Sequence, residues 1–155
     1  MPTNDVWQDV RAGVATKLGT AEGVRRATWR TEEPLTNLPE IRLGMPTFEL
    51  LQQTGNTERY TLEFPFEIVA RRPGGRARAD AEVATLARAV QEAFFGGVTM
   101  SGIVTATASI EDARLGTMLP GLTEYAEQDA DGRELYDGYR GSVIVQVYET
   151  LTRTA

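Results

Sequence analysis

Tyr60-Thr61-Leu62-Glu63-Phe64-Pro65-Phe66-Glu67-Ile68-Val69-Ala70-Arg71 is the stretch that decides the fold class. Tyr60, Leu62, Phe64, Phe66, Ile68 and Ala70 alternate with Thr61, Glu63, Pro65, Glu67, Val69 and Arg71, which is the period of a strand with one dry and one wet face. Pro65, on the polar side, has no N–H to give to a neighbouring strand, so an edge position or a bulge is expected there. Shortly before it, Thr54-Gly55-Asn56-Thr57 is turn chemistry, because Gly and Asn both accept positive φ. Thr47 to Gln53 leads into that turn as an extended segment. Together these predict a long β-hairpin.

Two helices flank it. Val6, Val10, Val14 and Leu18 recur every fourth residue with Trp7 beside them, which predicts an amphipathic helix over Asp5 to Leu18. Thr3 or Asn4 caps it, Asp5 and Asp9 suit the positive end of its dipole, Lys17 suits the other, and Gly19 stops it. Val83, Leu86, Ala87, Val90 and Phe94 make one face of a second helix, from an Asp80 cap to about Phe95, ended by Gly96-Gly97. Val24 to Arg30 reads as a short strand with Trp29 turned inward, and Thr31 to Glu40, with Pro34 and Pro39, as a loop. Ile41 and Leu43 form a short extended piece. Ile103 to Ile110 is a Thr/Ala/Val/Ile run that predicts a strand. Tyr139 to Thr152 is the last strand, with Val143, Val145 and Val147 on one face and Ile144, Gln146 and Tyr148 on the other. The order predicts one α+β domain over residues 1–155, a mainly antiparallel sheet with a long hairpin, packed by two amphipathic helices on one face.

Composition closes much chemistry. The 155 residues include no Cys and no His, which removes disulfides, thiol nucleophiles, thiolate and imidazole metal sites, and the commonest general base near neutral pH. No stretch approaches the roughly 18 apolar residues of a membrane span, and the acidic start is unlike a signal peptide, so a soluble protein made inside the cell is expected. The net charge of −6 argues against a free-standing nucleic-acid binder. Eight acidic residues between Glu111 and Asp137 face only Arg114 and Arg133, a surplus equal to the whole net charge. This segment is expected as a long acidic loop at about 112–137, with Pro120-Gly121 and Asp131-Gly132 turns. Arg71, Arg72, Arg76 and Arg78 concentrate positive charge in a loop at 71–79 around Pro73-Gly74-Gly75.

Motif searches lead away from catalysis. Gly74-Gly75 and Gly96-Gly97 lack the Gly-Lys-Ser or strand–turn–helix context of a phosphate loop and read as a loop and a helix cap. Asp129-Ala130-Asp131-Gly132 suggests a calcium loop only until its twelfth position, which is Arg140 where a closing Glu belongs. Ser101, Ser109 and Ser142 have no His partner. Glu32-Glu33 and Glu111-Asp112 are sequence neighbours, a spacing that does not itself make an acid/base pair. No catalytic residue, cofactor site or metal site is assigned. The arginine loop either binds an acidic partner or is a solvated hairpin exit. The acidic segment is either a disordered loop or a charged docking surface. A chain carrying both can contact its own copies head to side, and a closing rotation of such a contact makes a ring.

In order and size the chain resembles the tail terminator, or tail completion, proteins of long-tailed bacteriophages. The features that carry this are the N-terminal helix stripe (Val6, Trp7, Val10, Val14, Leu18), the aromatic strand Tyr60-Leu62-Phe64-Phe66-Ile68 and the helix from Asp80 to Phe95. The last is the closing strand from Tyr139-Arg140-Gly141 to Val147, whose Tyr-x-Gly start is the most suggestive piece. The resemblance implies a structural, non-enzymatic virion protein, assembled in the host cytoplasm as a homo-hexameric ring on the head-proximal end of the tail. It implies partners in the tail tube protein and a neck or head-completion protein, with DNA only passing through and no membrane. A DNA conduit should be negative inside, so Glu124, Glu127, Asp129, Asp131 and Glu134 are expected at the lumen or against a basic neighbouring ring. Arg71, Arg72, Arg76 and Arg78 are expected at a subunit or ring–ring contact. Rival readings are a head–tail adaptor or stopper, a carboxylate-held Mg²⁺ enzyme using the 111–137 segment, and a ligand-binding module whose aromatic face would be partly empty.

Overall fold

In a computed structural model of the chain, which describes residues 5–29, 40–71, 76–94, 108–121, 127–129, 132–134 and 136–151, helix α1 covers Asp5–Gly19. Val6, Val10, Val14 and Leu18 form its buried stripe. Burying each such side chain is worth about 1.5–3 kcal/mol, so packing rather than helix propensity holds α1 in place. The amides of Thr20 and Ala21 bond back to the Lys17 and Leu18 carbonyls and close the helix in a tight turn. The remaining elements are β1 (Arg26–Trp29), β2 (Glu40–Leu43), β3 (Thr47–Thr54), β4 (Thr57–Arg71), α2 (Arg76–Ala93), β5 (Ser109–Leu115), β6 (Leu119–Gly121), β7 (Glu127–Asp129), β8 (Gly132–Glu134) and β9 (Tyr136–Thr150).

The main sheet runs β1-β2-β4-β9-β5, with β3 also on β4 and β6 also on β9, while β7 and β8 pair as a separate ribbon. Apart from a parallel β1/β2 pair, the ladders are antiparallel. This is the expected α+β class, and the expected hairpin is β3–β4, turning on Gly55 at φ +62°. The backbone of the sheet is β4 against β9, in register from Thr57 opposite Thr150 to Arg71 opposite Tyr136. Tyr60, Leu62, Phe64, Phe66 and Ile68 of β4 and Val143, Val145 and Val147 of β9 share one face. They form a single buried cluster with the α1 stripe and with Leu86, Ala87, Val90 and Phe94 of the α2 region. Both helices therefore cover the same face.

Pro65 is not at an edge, because β4 has partners on both sides. Its neighbour on one side changes at its own level: β3 pairs with β4 as far as Glu63, and β2 takes over from Phe66. Between them Gly44-Met45-Pro46 leaves the ladder, and only the Gly44 amide reaches back, to the Pro65 carbonyl at 2.7 Å. A residue's N–H and C=O point to the same side of a strand, so the donor that proline lacks would have faced this interruption. The same break occurs across the sheet. Pro65 stands opposite Ser142, and there β9 exchanges β5 for β6, with the Gly116 amide bonded to the Ser142 carbonyl at 2.7 Å. One crease, marked by a glycine on each flank, crosses the sheet.

Several boundaries differ from expectation. Helix α2 begins at Arg76, not at Asp80, because Arg76-Ala77-Arg78-Ala79 are strong helix formers and Pro73-Gly74-Gly75 already supplies the break before them. The strand expected over Ile103 to Ile110 is seen as Ser109–Leu115, residues 103–107 lying outside those described. Within the supposed acidic loop, β6, β7 and β8 form and β9 starts at Tyr136. Thr3, Asn4, the 31–39 loop, Gly96-Gly97 and the side chain of Trp29 also lie outside the described residues.

Candidate functional site

The sheet face away from the helices is laced with polar cross-strand contacts. Arg59 Nε donates to Glu111 Oε1 at 3.0 Å and Arg59 Nη1 to Gln52 Oε1 at 3.1 Å, while its guanidinium lies 5.1 Å from the Tyr148 ring centre. Gln146 Nε2 donates to Glu111 Oε2 at 2.6 Å, so one network spans β3, β4, β9 and β5. Ser142 Oγ donates to Glu63 at 2.9 Å, and Arg140 pairs with Glu67 at 3.2 Å. These contacts are solvent-facing and each is worth at most about 1 kcal/mol; they describe a wetted surface rather than a reactive centre. Further along the same face, Glu40 is fully buried, with Arg42 Nε at 3.6 Å and Arg26 Nε at 3.9 Å from its carboxylate. Reading Glu40 as the end of a loop missed this buried carboxylate, whose arginine partners come from its own strand and the adjacent β1.

The apolar exposure is concentrated elsewhere. All eight residues of β3 are exposed, and Phe48 and Leu50, opposite Leu62 and Tyr60, stand on the helix-side face beyond the cover of the helices. Trp7 of α1 stacks on Phe48 with ring centres 5.6 Å apart, and both approach Tyr60. Met45 is 73% exposed just before the strand. The Tyr60 hydroxyl donates to Glu149 at 2.5 Å, next to Glu58, which sits directly opposite Glu149. Burial, then the hydrogen bond to Glu149, push the Tyr60 phenol well above its ordinary value.

An open groove of about 1100 Å³ lies between the Glu22–Arg25 segment and α2. Its floor is Val24, Leu86 and Ala89, and its rim charges balance, Glu22 and Glu92 against Arg25 and Arg88. No nucleophile and base converge there. Among the described residues no group of three or more acidic side chains is placed to hold a metal ion, and no helix is long and apolar enough to cross a membrane. On the aromatic face of β4, Tyr60, Phe64 and Phe66 are at most 2% exposed and belong to the buried cluster beneath the helices.

The residues singled out by charge fall as follows. Arg71 ends β4 opposite Tyr136, and Arg76 and Arg78 lie in the first turns of α2, while Arg72 is outside the described residues. They thus bracket the β4–α2 connection. Glu127 and Asp129 are in β7 and Glu134 in β8, with Glu127 and Glu134 directly opposite each other on the ribbon; Glu124 and Asp131 are outside the described residues.

No family profile and no curated protein sequence matches this chain. A solved structure does. The chain is similar in fold to a protein of the virion of a native gene transfer agent (GTA) particle, with a TM-score of 0.51, 16% identity, and coverage of 95% of this chain and 92% of that one. At that identity the likeness is one of fold, and it extends over nearly the whole of both chains.

Proposed function

We propose that this chain is a structural protein of a phage-like particle, and within it the tail terminator: a six-copy ring that caps the tail tube, stops its polymerisation and joins tail to neck. The observation that carries the reading is the end-to-end fold likeness to a gene transfer agent virion protein. It is supported by a wetted sheet face without a reactive constellation, by a packed interior, and by an exposed β3 flank suited to contact rather than chemistry. In this reading Arg71, Arg72, Arg76 and Arg78 meet a neighbouring subunit or ring. Glu124, Glu127, Asp129, Asp131 and Glu134 line the lumen, where like charge keeps the DNA backbone from sticking, or face a basic ring.

The test is to add the chain to polymerising tail tube protein from the same particle and to measure tube length by electron microscopy, with native mass spectrometry of the chain alone. Capping predicts shorter tubes, extra density at one end and a six-copy species. Tubes of unchanged length with the chain bound instead to neck protein would replace the terminator reading by that of a head–tail adaptor.

A further inference from the structure

We infer that the helix-side face at the hairpin end of the sheet is a docking surface for an arginine-bearing apolar segment of another protein. The face has two halves. One is apolar: Phe48, Leu50 and Trp7 are 43%, 44% and 39% exposed, with the Trp7 and Phe48 rings stacked at 5.6 Å and the buried Tyr60 ring against both. The other is acidic. Glu58 lies two residues before Tyr60 on β4, on the same face, directly opposite Glu149 of β9. The Tyr60 hydroxyl, donating to Glu149 at 2.5 Å, joins the two halves.

The carboxylates choose the occupant. Among the described residues no cation pairs with Glu58 or Glu149. Glu58 has Gln53 across one side and Glu149 across the other, while Arg59, next along β4, is on the opposite face and holds Glu111. Like charges directly opposite each other on neighbouring strands destabilise a sheet. The monomer thus keeps a repulsion beside exposed aromatic rings, and a cation delivered on an apolar segment relieves the repulsion and covers the rings together. A guanidinium suits this better than an ammonium, because it lays its plane on an aromatic face while its N–H groups reach a carboxylate in parallel. Apolar neighbours of that arginine cover Phe48 and Leu50. The bulge between Leu50 and Gln52 interrupts the β3 edge, so the contact uses the face of the hairpin and adds no strand. The inference goes beyond the capping reading and does not depend on it.

The probe is a short peptide alternating Arg and Leu, titrated into the full chain by calorimetry beside Lys–Leu and Glu–Leu versions. The expected result is saturable binding of the arginine peptide, weaker binding of the lysine peptide and none of the glutamate peptide, with tryptophan emission changing as Trp7 is covered. Glu58→Gln with Glu149→Gln should weaken the arginine peptide by at least about tenfold. Glu149→Gln keeps an acceptor for the Tyr60 hydroxyl, and the double variant removes the repulsion, so it should melt at a higher temperature than the unaltered chain. Lost binding is thereby separated from lost folding. An arginine peptide bound no more tightly than the glutamate peptide, or bound equally by the double variant, overturns the inference. A double variant that melts lower shows that there was no repulsion to relieve and overturns it too. Loss of a six-copy species in the double variant, with no peptide bound by the unaltered chain, gives the face to a second copy and overturns the proposed partner.

Discussion

The two arms of the hairpin, β3 and β4, join through the same Gly55-Asn56 turn and have opposite fates. β4 is sandwiched between β9 and its flanking strands and covered by the helices; Tyr60, Leu62, Phe64, Phe66 and Ile68 are shut away from water. β3 carries Phe48, Leu50 and Leu51 and leaves every residue exposed. Apolar character does not separate them. Position does: α1 reaches β3 through Trp7, stacked on Phe48, and α2 packs on β4 and β9. The lesson is that one arm of the hairpin builds the core while the other, of similar apolar character, stays at the surface.

Mutations can break or sharpen this contrast. Phe64→Ala, in the middle of the covered arm, should cost about 3–5 kcal/mol in chemical denaturation, enough to unfold a marginal domain. Gly141→Ala comes next. A Cβ there would stand 2.7 Å from Phe66 Cζ and 2.8 Å from Met118 Cγ, so the Phe66 ring must move, and a loss of about 1–3 kcal/mol is expected in the same assay. Tyr60→Phe probes the boundary between the arms. Because the folded phenol is held above its ordinary value of 10.0, it stabilises the fold fully below that pH, and the contribution is lost as pH rises towards the folded value. Wild-type stability should therefore fall with pH in the alkaline limb above about pH 10, and the Phe variant should flatten that limb. The smallest effect belongs to the open arm: Leu50→Ser should change monomer stability by no more than about 0.5 kcal/mol while lowering affinity for the arginine peptide measured by calorimetry. A large unfolding penalty at Leu50 would abolish the distinction between the arms.

What local pattern encodes was legible. The four-residue stripe of α1 and the alternation of β4 and β9 each specify an element and its buried face, and all three form as read. The terminal strand runs 136–150 against an expected 139–152 because its first residues, including Gly138, have no alternation to read. β5 runs past the expected end at Ile110 to Leu115, because Glu111-Asp112 looks like loop; Glu111 is accommodated by a bulge and by Arg59 and Gln146, which lie 52 and 35 residues away. Non-local partners leave no mark in a short window. The same holds for the parallel β1/β2 pair and for the exposure of β3, which depends on where the helices stop. Pro65 was a correct warning with the wrong remedy: the donor was indeed missing, but an exchange of neighbours accommodates it rather than an edge. Of the candidate site, Arg71 falls at the end of β4 and Arg76 and Arg78 in the first turns of α2 rather than in one loop, whereas the β3 surface carries no chemical signature beyond ordinary strand residues.

The crease at Pro65 and Ser142 also governs how the sheet deforms. Only β4 and β9 keep strand geometry through that level; on either flank the ladder gives way to Gly44-Met45-Pro46 and Gly116-Thr117-Met118. Bending stiffness scales with the number of strands crossing a line, so the molecule has one built-in line of compliance perpendicular to its longest strands.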